Sequence, residues 1–112
     1  MFEKILNGIL QHSSVESVIF LDSEGEEIFS YGKTNSEHLK LMGAYQGIIL
    51  STVRRLALGE NQCVMTRCLQ RSIVTQQLKL GYFVCVVLLP DANLAHAQFQ
   101  FQDYFMSLSD EL

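Results

Sequence analysis

The side chains of this chain that could do chemistry are few and scattered. His12, His38 and His96 stand far apart, and none has a Cys, Asp or Glu at metal-ligand spacing. Each reads as a surface or helix-end residue. Cys63, Cys68 and Cys85 are an odd set. Cys63 and Cys68 are five apart in an expected strand, so they point to opposite faces and are ill placed to share a metal or a bond. Buried free thiols in a reducing cytoplasm are the reading that fits them. Glu24, Glu26 and Glu27 crowd one turn. Acid–base work would require a cleft that shifts their pKa values. At an exposed turn they offer only an electrostatic match to a basic partner. Gly32-Lys33-Thr34 ends like a phosphate loop, but the earlier glycine is at the wrong spacing and Glu24 and Glu26 repel phosphate. No serine sits in a nucleophile elbow, and no thiol has a recognisable base beside it. These residues predict a chain that is not an enzyme and holds no cofactor or metal.

Composition narrows the classes further. The 112 residues fit one domain spanning 1–112, and the 48% hydrophobic content is enough for a packed core. Only 18% of residues are charged, which leaves few to solvate a monomer's surface and favours an oligomer. Net charge is −4, from 8 basic and 12 acidic residues. No basic run is dense enough to track phosphates, so no nucleic-acid partner is expected. The stretch MFEKILNGIL carries an acid and a base and lacks a small-residue cleavage site, so it does not read as a signal peptide. The apolar run from Tyr82 to Leu89 is too short to span a bilayer, and the expected location is cytoplasmic.

The elements follow from periodicity. Phe2, Ile5, Leu6, Ile9 and Leu10 recur at helical spacing. Val15 to Leu21 and Glu26 to Tyr31 form a hairpin about the turn Asp22-Ser23-Glu24-Gly25. A long helix then runs over 36–58, capped by Asn35 or Ser36 and ended by Gly59. Segments 62–69, 71–79 and 81–89 read as three strands. The last is apolar on both faces and belongs mid-sheet; the first two belong nearer an edge. Pro90 stops it, and Asp91 or Asn93 caps a final helix striped with Leu94, Ala97, Phe101, Tyr104, Phe105 and Leu108. Phe99 falls off that stripe, as a rim residue or part of a contact. The order α-β-β-α-β-β-β-α predicts an α+β fold with a five-stranded, largely antiparallel sheet. The long middle helix takes one face and the terminal helices the other.

The middle helix has two unlike faces. At about 100° per residue, Leu41, Met42, Tyr45, Ile49, Thr52, Val53 and Leu56 form a core-facing stripe. Gly43, Gly47 and Ser51 lie opposite, flanked by Lys40, Leu50, Arg54 and Leu58. Each helical glycine costs about 1 kcal/mol against alanine, so a row of small residues points to a closely packed neighbour. The phase favours another molecule over a clash relieved inside the monomer.

The element order, Leu21-Asp22-Ser23-Glu24-Gly25 after the first strand, and Leu88-Leu89-Pro90-Asp91-Ala92-Asn93-Leu94 before the last helix together resemble the roadblock family. That family includes roadblock-type dynein light chains, lysosomal scaffold subunits and bacterial gliding-motility regulators of Ras-like GTPases. The resemblance covers nearly the whole chain and implies a roadblock-like homodimer. Edge pairing would use 62–69, with Cys63, Met65 and Arg67, and the 36–58 helices would lie antiparallel across the axis. Lys40, Gly43, Gly47, Leu50, Ser51, Arg54 and Leu58 would then face the sister helix or a docked Ras-like small GTPase. Gliding-type members stimulate hydrolysis by reshaping the partner's switch region, without an inserted arginine finger. Arg54 and Arg55 sit mid-platform and match no finger. The alternative is a dynein-light-chain-like or complex-assembly scaffold with no effect on GTPase activity. A small-molecule sensor would need a cavity, which Phe20, Phe29, Tyr82 and Phe83 argue against.

Leucine at Gly47 is expected to crowd the outward row. Gly47→Leu should shift the chain from dimer towards monomer in analytical ultracentrifugation; an unchanged dimer places that row elsewhere.

Overall fold

The computed structural model describes residues 2–32, 50, 51, 54, 63–67, 71–90 and 92–112. Helix α1 (Phe2–Leu10) leads into strands β1 (Val15–Leu21) and β2 (Glu27–Gly32). Strands β3 (Cys63–Arg67), β4 (Ser72–Gln77) and β5 (Phe83–Leu88) precede helix α2 (Leu94–Asp110). The five strands form one sheet in the order β2-β1-β5-β4-β3, and every pairing is antiparallel. This is the α+β sheet expected from the pattern of short β-rich runs. Of the middle helix, Leu50, Ser51 and Arg54 are helical. The rest of 36–58 and its packing lie outside the described residues.

β5 sits at the centre because nothing along it tolerates water. All six of its residues are buried. Their alternation divides two cores. Val84, Val86 and Leu88 join Leu6 and Ile9 of α1 and Ala97, Phe101, Phe105 and Leu108 of α2. On the other face Phe83, Cys85 and Val87 are buried with Ile19, Leu21 and Ile73. β1 mirrors this division, with Val15, Val18 and Phe20 on the two-helix side.

Two irregularities in β1 shape its ends. The register against β5 shifts between Val15 and Ser17, which leaves Glu16 as the extra residue. Such a bulge re-aims a side chain. Glu16 forms an ion pair with Arg71, just before β4, with side-chain exposures of only 11% and 23%. The two halves of the sheet are thereby tied at one end. A second shift, between Phe20 and Leu21, leads into the turn. There Asp22 Oδ1 accepts from the backbone N–H groups of Glu24 and Glu26, each at 2.9 Å, and Gly25 takes φ 85°. Asp22 is the turn-forming aspartate and Gly25 its left-handed residue, as the sequence pattern implies.

α1 and α2 pack side by side on the two-helix face. Gly8 permits this: a Cβ there would lie 2.9 Å from the Tyr104 ring. His12, after α1, stands edge-on to the rings of Phe101 and Tyr104, with centroids 5.0 and 5.8 Å away. Asn93, not Asp91, caps α2: its side chain accepts from the His96 N–H at 3.0 Å. Asp91 lies outside the described residues.

β4 and β5 are joined by a turn with two consecutive left-handed residues, Leu80 (φ 60°) and Gly81 (φ 78°). The Tyr82 N–H donates to the Lys79 carbonyl at 3.2 Å, closing it. Two positive φ values in a row are the type I′ pattern, for which Asn-Gly is favoured. Leucine in that conformation is strained by roughly 1 kcal/mol or more, and Leu80 makes little contact in return, being 75% exposed.

Leu80→Asn is therefore expected to stabilise the fold by about 1 kcal/mol, read as a higher urea midpoint at unchanged slope. A second expectation concerns Cys85. Burial pushes its thiol from an ordinary value of 9.0 up to about 11, only partly countered by the hydrogen bond that Thr75 Oγ1 donates to its sulfur. The raised value favours the protonated thiol of the folded chain. That stabilisation is complete below about pH 9 and is lost as pH climbs towards about 11. Denaturation series across that window should show stability declining, and Cys85→Ala should make the decline shallower.

Candidate protein-interaction site

The sheet has two ends, and they are unlike. β2 forms one edge and begins with Glu27, beside Glu26; both are exposed. Charge on an edge strand discourages pairing with another chain. β3 forms the other edge and pairs with β4 in the register Cys63↔Gln76 to Arg67↔Ser72. No other described strand pairs with β3. Its sequence, Cys-Val-Met-Thr-Arg, carries a single charge at its end. Met65 is 43% exposed at this edge. An apolar, weakly charged edge strand is a template for pairing with another chain.

Alternation puts Cys63, Met65 and Arg67 on the two-helix face of β3, across from Gln76, Val74 and Ser72. Cys63 is half-buried against the core, and Arg67 is exposed. Burial raises the Cys63 thiol pKa, so this cysteine lacks the depressed value of an activated nucleophile. Leu50, Ser51 and Arg54 are all exposed. Ser51 is the one member of the expected small-residue row among the described residues. Lys40, Gly43, Gly47 and Leu58 lie outside the described residues, as does Cys68.

Of the residues considered for chemistry, His38, Lys33 and Thr34 lie outside the described residues. Glu24, Glu26 and Glu27 are exposed around the β1–β2 turn. Among the described residues no group of three or more His, Cys, Asp or Glu could hold a metal. No described helix is long and apolar enough to cross a membrane.

One cavity was not foreseen. A groove of about 280 Å3 lies between α2 and the β3–β4 side of the sheet, where Cys63, Gln76, Gln98, Gln102, Phe105 and Met106 converge. It falls just below the roughly 300–1,000 Å3 of small-molecule sites, so it does not revive a sensor reading. Its residues come from elements far apart in the chain, which is why periodicity passed over them. Phe99, off the α2 stripe and outside the groove's described lining, is 79% exposed.

By sequence the chain matches no family model and no curated protein. Its fold is nonetheless shared with solved structures over almost the whole length. MglC from Myxococcus xanthus superposes with a TM-score of 0.81 at 13% identity, covering 99% of this chain and 98% of that one. Myxococcus xanthus MglB gives 0.73 at 13% identity, covering 97% and 92%. A Roadblock/LC7 domain from Streptomyces avermitilis gives 0.68 at 14% identity, covering 96% and 94%. The chain has the roadblock fold.

Proposed function

We propose that this roadblock-fold chain is a homodimeric, non-catalytic regulator or scaffold of a small Ras-like GTPase. The observation that carries the reading is the open β3 edge within a roadblock fold. Two copies pairing there would extend the sheet across a two-fold axis and bring the outward rows of their middle helices together. Exposed Leu50, Ser51 and Arg54 would belong to that shared platform. The lack of a gathered catalytic set among the described residues suits a protein that acts by binding. Its mechanism is differential affinity: a dimer that prefers one switch conformation shifts the partner's population, and nothing it contributes is consumed. If the preferred conformation is competent for hydrolysis, the same binding stimulates GTP turnover. The likeness in fold to MglB and MglC supports the regulator role, and a cytoplasmic location goes with it.

The test pairs the purified chain with small GTPases encoded by its own genome, each loaded with GDP or a GTP analogue. Size exclusion with light scattering should give a dimer alone and a complex with one nucleotide state over the other. Met65→Lys, which charges the open edge, should weaken the dimer and the complex together. Failure of every such GTPase to bind in either state would overturn the reading. Equal binding of both states, with hydrolysis unchanged, would leave the scaffold alternative.

A further inference from the structure

The groove beside α2 sits at the centre of a surface with one consistent character. Its described lining includes apolar Leu78 and Phe105 beside Gln98 and Gln102, while the amide of Gln76, also at the groove, already donates to the Gln77 carbonyl at 2.9 Å. No charged residue is among its described lining. A glutamine amide offers both donors and acceptors, which suits the backbone of a bound peptide. Next to the groove the outer face of α2 is unexpectedly apolar. Phe99 is 79% exposed and Met106 60%. With Gln102 between them they share one side of the helix.

Charge separates the candidate occupants. α2 contains Asp103 and Asp110 and no lysine or arginine, and Glu111 follows as its C-cap. All three acids are exposed. Carboxylates near a helix C-terminus oppose the helix dipole, so this end carries a negative field at some cost to stability. Among the described residues the cation paired with it is Lys79, 3.9 Å from Asp110, with both side chains largely exposed. A second copy of a chain with net charge −4 would bring the same acids face to face. The volume is small for a metabolite but suits one large side chain, the usual anchor of a protein contact.

We propose that the groove between α2 and the β3–β4 side is the anchor pocket for a basic, amphipathic peptide segment of another protein. One large apolar side chain of that segment enters against Phe105 and Leu78. Its flanks lie on Phe99 and Met106, and its lysines or arginines meet Asp103, Asp110 and Glu111. This surface borders the β3 edge strand through Cys63 but does not include Leu50, Ser51 or Arg54 in its described lining, and it stands whether or not a GTPase is the other partner.

The probe is a short synthetic peptide with one phenylalanine flanked by lysines, compared with the same peptide carrying glutamates instead. Each is titrated into the isotopically labelled full chain while the side-chain amide signals of Gln98 and Gln102 are followed by NMR. The lysine peptide should move both signals saturably, and the glutamate peptide should leave them in place. The neutral double variant Phe99→Ser, Met106→Gln alters only exposed positions. It should bind the lysine peptide at least about tenfold more weakly with an unchanged circular dichroism spectrum. The proposal is overturned if the lysine peptide leaves the two amides unmoved, if both peptides act alike, or if the double variant binds as tightly as the parent. A fall in sedimentation mass of the double variant would also overturn it, by assigning this face to contacts between copies.

Discussion

β5 is the constraint on which the rest of this structure depends. Each of its six residues is buried, and both of its edges are hydrogen-bonded, to β1 and to β4. Burying an apolar side chain contributes about 1.5–3 kcal/mol, so a strand buried on both faces anchors the sheet at its centre. Once β5 takes the centre, the N-terminal hairpin can attach only on one side and the β3–β4 pair only on the other. β2 and β3 become the edges by exclusion. The Glu16–Arg71 ion pair closes the link between the two halves at the bulged end of β1.

The two edges of the described sheet differ in charge. β2 begins in a run of carboxylates, and β3 is short, apolar and charged only at Arg67. Among the described strands, charge guards β2 against pairing with another chain more than it does β3. The groove beside β3 and β4 adds a second kind of surface, lined by apolar and glutamine residues and bordered by an acidic helix end. Neither surface gathers groups that would move protons or hold a nucleophile. The Cys85 thiol is locked in the core, and burial also raises the pKa of Cys63.

Much of the fold was legible because its signals are local. Alternation and β-branched content marked β1 and β5, and the turn aspartate and glycine marked the first hairpin. The doubly apolar run 82–89 pointed to a central strand before any pairing was known. The expected ends were slightly long: 71–79 became Ser72–Gln77, and 81–89 became Phe83–Leu88. The left-handed turn at Leu80-Gly81 consumes the residues between, and leucine is a poor advertisement for such a turn. The choice between Asp91 and Asn93 as cap was also open in the sequence, since both side chains can accept from a helix N-terminus. Only the backbone position of His96 relative to Asn93 decides it.

The sequence by itself determined which residues of α1, β5 and α2 face the core, since side-chain type and spacing fix the buried stripe of each element. It also determined that Phe99 has no place on the inward stripe of α2. Tertiary structure alone decided what gathers beside α2. The groove joins residues of β3, β4 and α2 that lie dozens of positions apart, and no period within one segment encodes a distance between segments. It also decided that β3 and not β4 is the outer strand, because edge position depends on which neighbours the whole sheet supplies.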